Sequence, residues 1–168
     1  MRSIRLFLAG WMVFLAGVCA QAAPVRLGVH GVYSTGGSTE SDDFGYGFQL
    51  GWHWNDHVSL DLTDSFFDDV DGAVKFNDIA GTLRLGFTVT EGIFLYAGGG
   101  LTYLMTTFET GDSPHDELGY HYCAGMELQQ SEYVDVFLEY RKSYIDYDDL
   151  EDTYEFGLFR LGVSLVFH

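Results

Sequence analysis

The segment FRLGVSLVF, residues 159–167, alternates between large apolar side chains and small or polar ones. Side chains two residues apart point to the same face of a strand, so this period predicts a strand with one apolar face. The same period recurs near residues 25–33, 46–54, 58–66, 79–89, 93–108, 118–128 and 134–144. We therefore predict an all-β protein of eight antiparallel strands.

The connections between these segments alternate in length. Three are short and polar, at Asn55-Asp56-His57, at Thr90-Glu91-Gly92 and around Gln130-Ser131-Glu132. The other four are longer, at about residues 34–43, 67–76, 107–117 and 145–153. Short turns at one end and long loops at the other are typical of an up-and-down transmembrane β-barrel.

A soluble, lipocalin-like barrel would alternate in the same way, with its apolar face inside. Its outer face would meet water and would carry many Lys, Glu and Gln side chains. Here the polar face consists mainly of Gly, Ala, Ser and Thr. Small residues suit the crowded interior of an eight-stranded barrel, and the large apolar face suits lipid. The composition of the two faces thus favours the transmembrane barrel.

The first 22 residues have the layout of a secretory signal peptide. Arg2 and Arg5 precede an apolar run over residues 6–17, and Ala20-Gln21-Ala22 is a small-x-small cleavage site. The run is short for a membrane span, although an uncleaved anchor is the alternative. Val18 before Cys19 does not fit a lipoprotein signal. We predict cleavage after Ala22, which leaves a barrel domain over residues 23–168 with Cys123 as its one cysteine and no intramolecular disulfide.

The chain has 168 residues and a formal net charge of −17, with 21 glycines and two prolines. This length predicts one domain. The acidic balance excludes a nucleic-acid binder as the default, because phosphate contacts need clustered Lys and Arg. The four long connections together hold 15 acidic residues and one lysine.

The chain resembles the small eight-stranded outer-membrane barrels of the opacity-protein and OmpA-like transmembrane domain type. Two segments carry the likeness, LYAGGGLTY at residues 95–103 and FLEYR at residues 137–141. The last strand, residues 159–167, resembles the terminal signal that the barrel-assembly machinery recognises, although His168 follows the usual final phenylalanine. The resemblance implies a protein of the Gram-negative outer membrane, in contact with lipid and lipopolysaccharide. The fold hosts many roles, so it does not imply a particular function.

Charged residues within the strands fall on the predicted lumen face. A charge inside a narrow barrel is costly unless it is paired. Glu139 and Arg160 stand at similar heights on adjacent strands, and the basic and acidic residues balance. We predict an internal ion-pair network that plugs the lumen, with a conductive or gated site as the alternative. Its members are Arg26, Asp61, Arg84, Glu127, Asp135, Glu139, Arg141 and Arg160.

Three features of the sequence bear on metal binding. Three inward-pointing histidines and Cys123 lie without ligand spacing, and are better explained as hydrogen-bonded interior groups. The fragment Asp69-Val70-Asp71-Gly72 lacks the acid that a calcium loop needs at Phe67. One acidic loop could bind a cation loosely through carboxylate oxygens. Its residues are Asp146, Asp148, Asp149, Glu151 and Asp152.

One combination of residues bears on catalysis. Some barrels of this type are lipid A deacylases or palmitoyl transferases, and such deacylases carry a lipid-facing His-Ser pair within one strand. Here Ser113, His115 and Asp116 only share a predicted loop. We predict a non-enzymatic structural or surface-interaction protein without a cofactor and expect a monomer. An outer-membrane lipid-modifying enzyme and a narrow channel for small solutes are the alternatives. Divalent cations or cationic ligands are the expected partners of the acidic loops.

Overall fold

The computed structural model describes residues 24–35, 43–70, 74–108, 115–146 and 153–168. Within these ranges the side chains of 68–70, 74–75, 107–108, 115–116, 146 and 153 are not described. The expected signal peptide lies outside the described residues. In the parts that are described, no helix has the length and apolar character needed to cross a membrane.

Eight antiparallel strands form a closed barrel in which each strand pairs with the next and β1 pairs with β8. Closure pairs the edges that an open sheet would leave exposed. The predicted fold class is thereby confirmed. The strands are β1 (Val25–Thr35), β2 (Phe44–Asn55), β3 (Val58–Val70), β4 (Val74–Thr90), β5 (Ile93–Phe108), β6 (His115–Ser131), β7 (Val134–Asp146) and β8 (Thr153–Phe167).

The three short connections lie where the sequence predicts them, and together they define the short-turn end of the barrel. In the first, the Asn55 side chain accepts hydrogen bonds from the backbone N–H groups of His57 and Val58, at 2.8 and 2.9 Å. In the second, Gly92 has a φ of 82°, a backbone conformation that glycine adopts readily. These local features explain why two or three residues suffice to reverse the chain.

The prediction of a long connection over residues 67–76 was wrong. β3 continues to Val70 and β4 begins at Val74, so most of that stretch is strand. β8 likewise begins at Thr153, six residues before the segment from which it was predicted. The strands are longer than predicted at this end, which we call the long-loop end. β4 and β6 each have 17 residues, about six more than a bilayer span requires.

Inward and outward side chains alternate as the sequence predicts. The outward face carries exposed aliphatic and aromatic residues, including Leu27, Leu85 and Leu161. The inward face has little room at its glycines. A Cβ on Gly100 of β5 would overlap the backbone carbonyl of Gly81 on β4, so this position requires glycine for close strand packing.

The interior changes character along the barrel axis. Toward the long-loop end, inward positions become apolar and form one buried cluster, which we call the apolar cap. Below it the inward positions are mainly polar, charged or glycine, although Phe137 is also buried there. The cap consists of Val32, Phe67, Leu104, Ile145, Phe156 and Leu158, with Phe76 and Tyr154 packed against it.

Candidate functional site

Charged side chains fill the middle of the lumen below the apolar cap. Eight of them are the residues singled out from the sequence, and the structure brings all eight into one connected set of ion pairs. The ninth is Asp78 of β4. We call these nine the lumen network: Arg26, Asp61, Asp78, Arg84, Glu127, Asp135, Glu139, Arg141 and Arg160.

Glu139 is the hub of the lumen network. Its carboxylate contacts three guanidinium groups, those of Arg160 at 2.5 Å, Arg84 at 2.9 Å and Arg141 at 3.4 Å. The Tyr96 hydroxyl donates a further hydrogen bond to it, at 3.0 Å. Glu139 and Arg160 are direct cross-strand partners on β7 and β8, which explains the first contact. Three guanidinium groups and one phenol thus surround a single buried carboxylate.

A chain of ion pairs runs from Glu139 toward the short-turn end. Arg84 bridges Glu139, Asp61 and Glu127, the last two at 3.1 and 3.2 Å. Glu127 also pairs with Arg26, and Arg26 reaches Asp135 at 3.2 Å. Arg26 and Arg84 thus each contact at least two carboxylates, which compensates for removing their charges from water. The Arg84 guanidinium also lies 4.4 Å from the centre of the Tyr96 ring.

A second branch runs toward the apolar cap. Arg141 contacts Asp78 at 3.1 Å and the Thr63 hydroxyl at 3.0 Å. Asp78 also accepts a hydrogen bond from the Thr102 hydroxyl. Asp78 is fully buried, and sequence reasoning missed it because the predicted strand began one residue later, at Ile79. Asp78 lies an even number of residues before Thr82 and Arg84, and this spacing was the signal that could have placed it in the lumen.

The inward histidines serve as hydrogen-bonding groups. His30 bonds to Ser65 at 3.0 Å through Nε2, and its Nδ1 lies 3.4 Å from Arg160. His121 bonds to Thr82 at 2.9 Å. His53 lines the opening at the short-turn end, and Cys123 is buried in the lumen wall. Within the described ranges, no three His, Cys, Asp or Glu residues are grouped so as to hold a metal ion.

The lumen opens at the short-turn end into a cavity of about 300 Å³, which we call the vestibule. Arg26, Glu127 and Asp135 form its charged inner wall, and His53 and Phe94 also line it. The side chain of Arg26 is 12% exposed, whereas those of Arg84, Arg141 and Arg160 are at most 1% exposed. Solvent therefore reaches the network from this end only as far as Arg26.

Two other predicted groups cannot be placed in the same way. Asp148, Asp149, Glu151 and Asp152 of the acidic loop lie outside the described residues, as does Ser113. The side chains of Asp146, His115 and Asp116 are likewise not described. The possible cation contact and the Ser/His/Asp combination therefore stay predictions.

A family model described as an outer membrane protein beta-barrel domain matches residues 6–167. A search among curated proteins finds no significant match. Several solved structures are similar in fold. One is Neisserial surface protein A, with a TM-score of 0.65 at 15% identity over 86% of this chain and 97% of that one.

Two further structures bear on function. The attachment invasion locus protein Ail of Yersinia pestis, solved in complex with a heparin analogue, matches with a TM-score of 0.62 at 16% identity, over 88% of this chain and 100% of that one. The outer membrane enzyme PagL matches with a TM-score of 0.53 at 13% identity, over 84% of this chain and 98% of that one. At these identities the likeness shows the fold alone, and that fold carries both an enzyme and an attachment protein.

Proposed function

The chain belongs to the outer membrane protein beta-barrel domain family, and from that premise we propose a non-enzymatic protein with a plugged lumen that displays acidic loops at the cell surface. The family implies the Gram-negative outer membrane. In such barrels the short turns face the periplasm and the long loops face outward. The vestibule therefore opens to the periplasm, and the apolar cap lies on the outer side.

The single observation that carries this proposal is the two-layered blockage of the lumen. Conduction needs a continuous wet path with binding weak enough for the solute to leave. In the lumen network, all four arginines already contact carboxylates, and none of these contacts is longer than 3.4 Å. Above them, the cap residues Ile145 and Leu158 are fully buried and offer no polar path. Each layer blocks ions for a different reason, so the loss of one leaves the other.

Planar-bilayer recording tests the plug. The refolded barrel should show no steady conductance. Protease protection of the long-loop side verifies that the barrel has inserted. The unboiled barrel should also migrate differently from the boiled one in SDS gels, which shows that the inserted material is folded. Large, stable, ohmic channels would overturn the proposal and favour the small-solute channel.

Export through a cleaved signal peptide belongs to the same proposal. Amino-terminal sequencing of the protein from outer-membrane fractions should begin at Ala23. A chain that begins at Met1 in that fraction would contradict cleavage. Recovery of the mature chain as a soluble periplasmic protein would contradict the outer-membrane location itself.

The acidic loops give the surface role its chemistry. Dense like charges repel each other and favour partners that are cationic, whether divalent ions or basic peptides. Calorimetry of the refolded barrel should show weak binding of Ca²⁺ or of a basic peptide that declines with salt, because exposed charges are screened. Replacing the acids at 148, 149, 151 and 152 by their amides should reduce it. Binding that survives this change and is indifferent to salt would contradict a charge-based role.

The lipid-modifying enzyme is the competing function, and the described geometry offers it little. In the described strands, His30, His53 and His121 all point into the lumen, away from lipid. Mass spectrometry of lipid A from cells with and without the protein distinguishes the two functions. An unchanged acylation pattern supports the non-enzymatic role. A lost or added acyl chain that depends on Ser113 or His115 would overturn it.

A further inference from the structure

The outward face of β6, β7 and β8 carries a cluster of phenols around a single lysine. We call it the tyrosine–lysine patch. Lys142 lies opposite Tyr122 across the β6–β7 pair, and Tyr144 lies opposite Tyr120. On the other side, Tyr144 lies opposite Glu155 of β8.

The groups of the patch contact one another closely. The Tyr120 and Tyr144 rings stack with their centres 5.1 Å apart, and the hydroxyls of Tyr122 and Tyr144 are 3.2 Å apart. Lys142 Nζ lies 5.8 Å from the centre of the Tyr144 ring and 2.9 Å from the Glu155 carboxylate. The Lys142 side chain is 24% exposed and that of Glu155 is 51% exposed. The ammonium thus lies against the Tyr144 ring, while its carboxylate partner is more exposed to the surroundings.

The interior of the barrel shows where this patch sits in the membrane. On β7, Arg141 and Ser143 are the last polar inward residues before Ile145 of the apolar cap. Inward apolar residues suit the part of a barrel that rises above the bilayer, where the outside meets water. Lys142 and Tyr144 lie at this change, and exposed tyrosines are typical of the membrane interface. The patch therefore lies at the level of the outer-leaflet headgroups.

Charge complementarity identifies the occupant. Among the side chains that the structure describes, Lys142 is the one cation on the outward face of the strands, because Arg26, Arg84, Arg141 and Arg160 all point inward. Lipid headgroups at this level carry phosphate. An ammonium has three donors, of which Glu155 takes one. When one of the paired phenols donates to the other, the second keeps a free proton to donate.

We propose that the tyrosine–lysine patch binds the phosphate of lipid A, with Lys142 as the charged donor and the Tyr122–Tyr144 pair as the phenolic donor. The proposal rests on the proposed function only for the outer-membrane location. Glu155 then acts as a competitor for the lysine, because its carboxylate occupies the same ammonium and repels a phosphate. Removing Glu155 and removing Lys142 must consequently change lipid binding in opposite directions.

Native mass spectrometry of the refolded barrel with diphosphorylated lipid A tests this directly. Lys142→Gln should lower the fraction of barrels that retain a lipid A molecule, with an affinity loss of about fivefold, as expected for one lysine at a charged membrane surface. Glu155→Gln should raise retention. Tyr144→Phe should lower it without changing any charge. Dephosphorylated lipid A is the matched control and should bind all four proteins equally.

The two charge variants break the same salt bridge, so a purely structural effect would move them in the same direction. Equal lowering by both, or no change in Lys142→Gln, would overturn the lipid A site. Each sample is first checked for the folded gel mobility of the closed barrel. A folded barrel without phosphate-dependent binding refutes only this site, whereas a chain that never attains that mobility refutes the proposed function.

Discussion

Replacing Glu139 by glutamine should destabilise the barrel by about 3–5 kcal/mol, because the change leaves a buried guanidinium without a carboxylate. The loss of these ion pairs affects mainly Arg160. Arg84 keeps Asp61 and Glu127, at 3.1 and 3.2 Å. Among the described residues, Arg160 keeps no carboxylate and is left with Gln49 at 3.3 Å, the His30 ring at 3.4 Å and the face of the Phe137 ring. Arg160 is fully buried, so water cannot replace the lost partner.

The assay is equilibrium urea unfolding of the barrel refolded in lipid vesicles, followed by the fluorescence of Trp52 and Trp54. Asp135→Asn is the matched control. It also neutralises one carboxylate of the lumen network, but Arg26 keeps Glu127 and borders the vestibule. Its cost should stay below about 1 kcal/mol, as for partly solvated ion pairs.

A double variant separates the lost ion pair from other effects of the substitution. Adding Arg160→Met to Glu139→Gln removes the stranded charge and should recover about 2 kcal/mol or more. Equal costs of Glu139→Gln and Asp135→Asn, within about 1 kcal/mol, would contradict a special role of the buried Glu139–Arg160 pair. A double variant less stable than Glu139→Gln alone would contradict it as well.

Three other changes probe the strand packing, the cap and the lipid face. Gly100→Ala should destabilise the barrel strongly, because its Cβ meets the neighbouring backbone, whereas Gly31→Ala should be almost neutral because nothing lies within 4 Å of the added atom; urea midpoints that shift equally would contradict this. Ile145→Ala should cost about 2–5 kcal/mol by opening a cavity in the apolar cap, yet leave the bilayer conductance at zero because the lumen network persists; a steady current would show that the cap alone closes the lumen. Leu161→Arg should cost about 2–4 kcal/mol in vesicles, since Leu161 is 60% exposed on the lipid face; unchanged stability there would mean that the face does not meet lipid.

The barrel and the eight charged residues could be predicted from the sequence because they follow one rule, the two-residue period. That period places Glu139 and Arg160 on the same side of adjacent strands. The position of the short turns then sets their relative height, and the structure pairs them directly. Counting residues from the short turns thus predicts which inward residues on neighbouring strands stand opposite each other.

The apolar cap could not be predicted because the rule for reading the faces changes along the barrel. Within the bilayer, apolar residues point outward, whereas Phe67, Phe76 and Leu104 point inward. Read with the bilayer rule, such residues indicate a loop or a lipid-facing position. Asp78 was missed for the same reason, because the predicted strand begins at Ile79, where the alternating pattern starts, whereas β4 begins at Val74.

The reactivity of Cys123 tests the closed lumen most directly. Cys123 is the one cysteine in the chain from Ala23 onward, and it is buried in the lumen wall at 3% exposure, beside Arg141 on the neighbouring strand. A small, charged, membrane-impermeant thiol reagent is applied to the refolded barrel and labelling is counted by mass spectrometry, with the SDS-boiled protein as the reference. A sealed lumen predicts no labelling in the folded barrel and complete labelling after boiling. Rapid labelling of the folded barrel would show that the lumen is a water-filled path and would contradict the account.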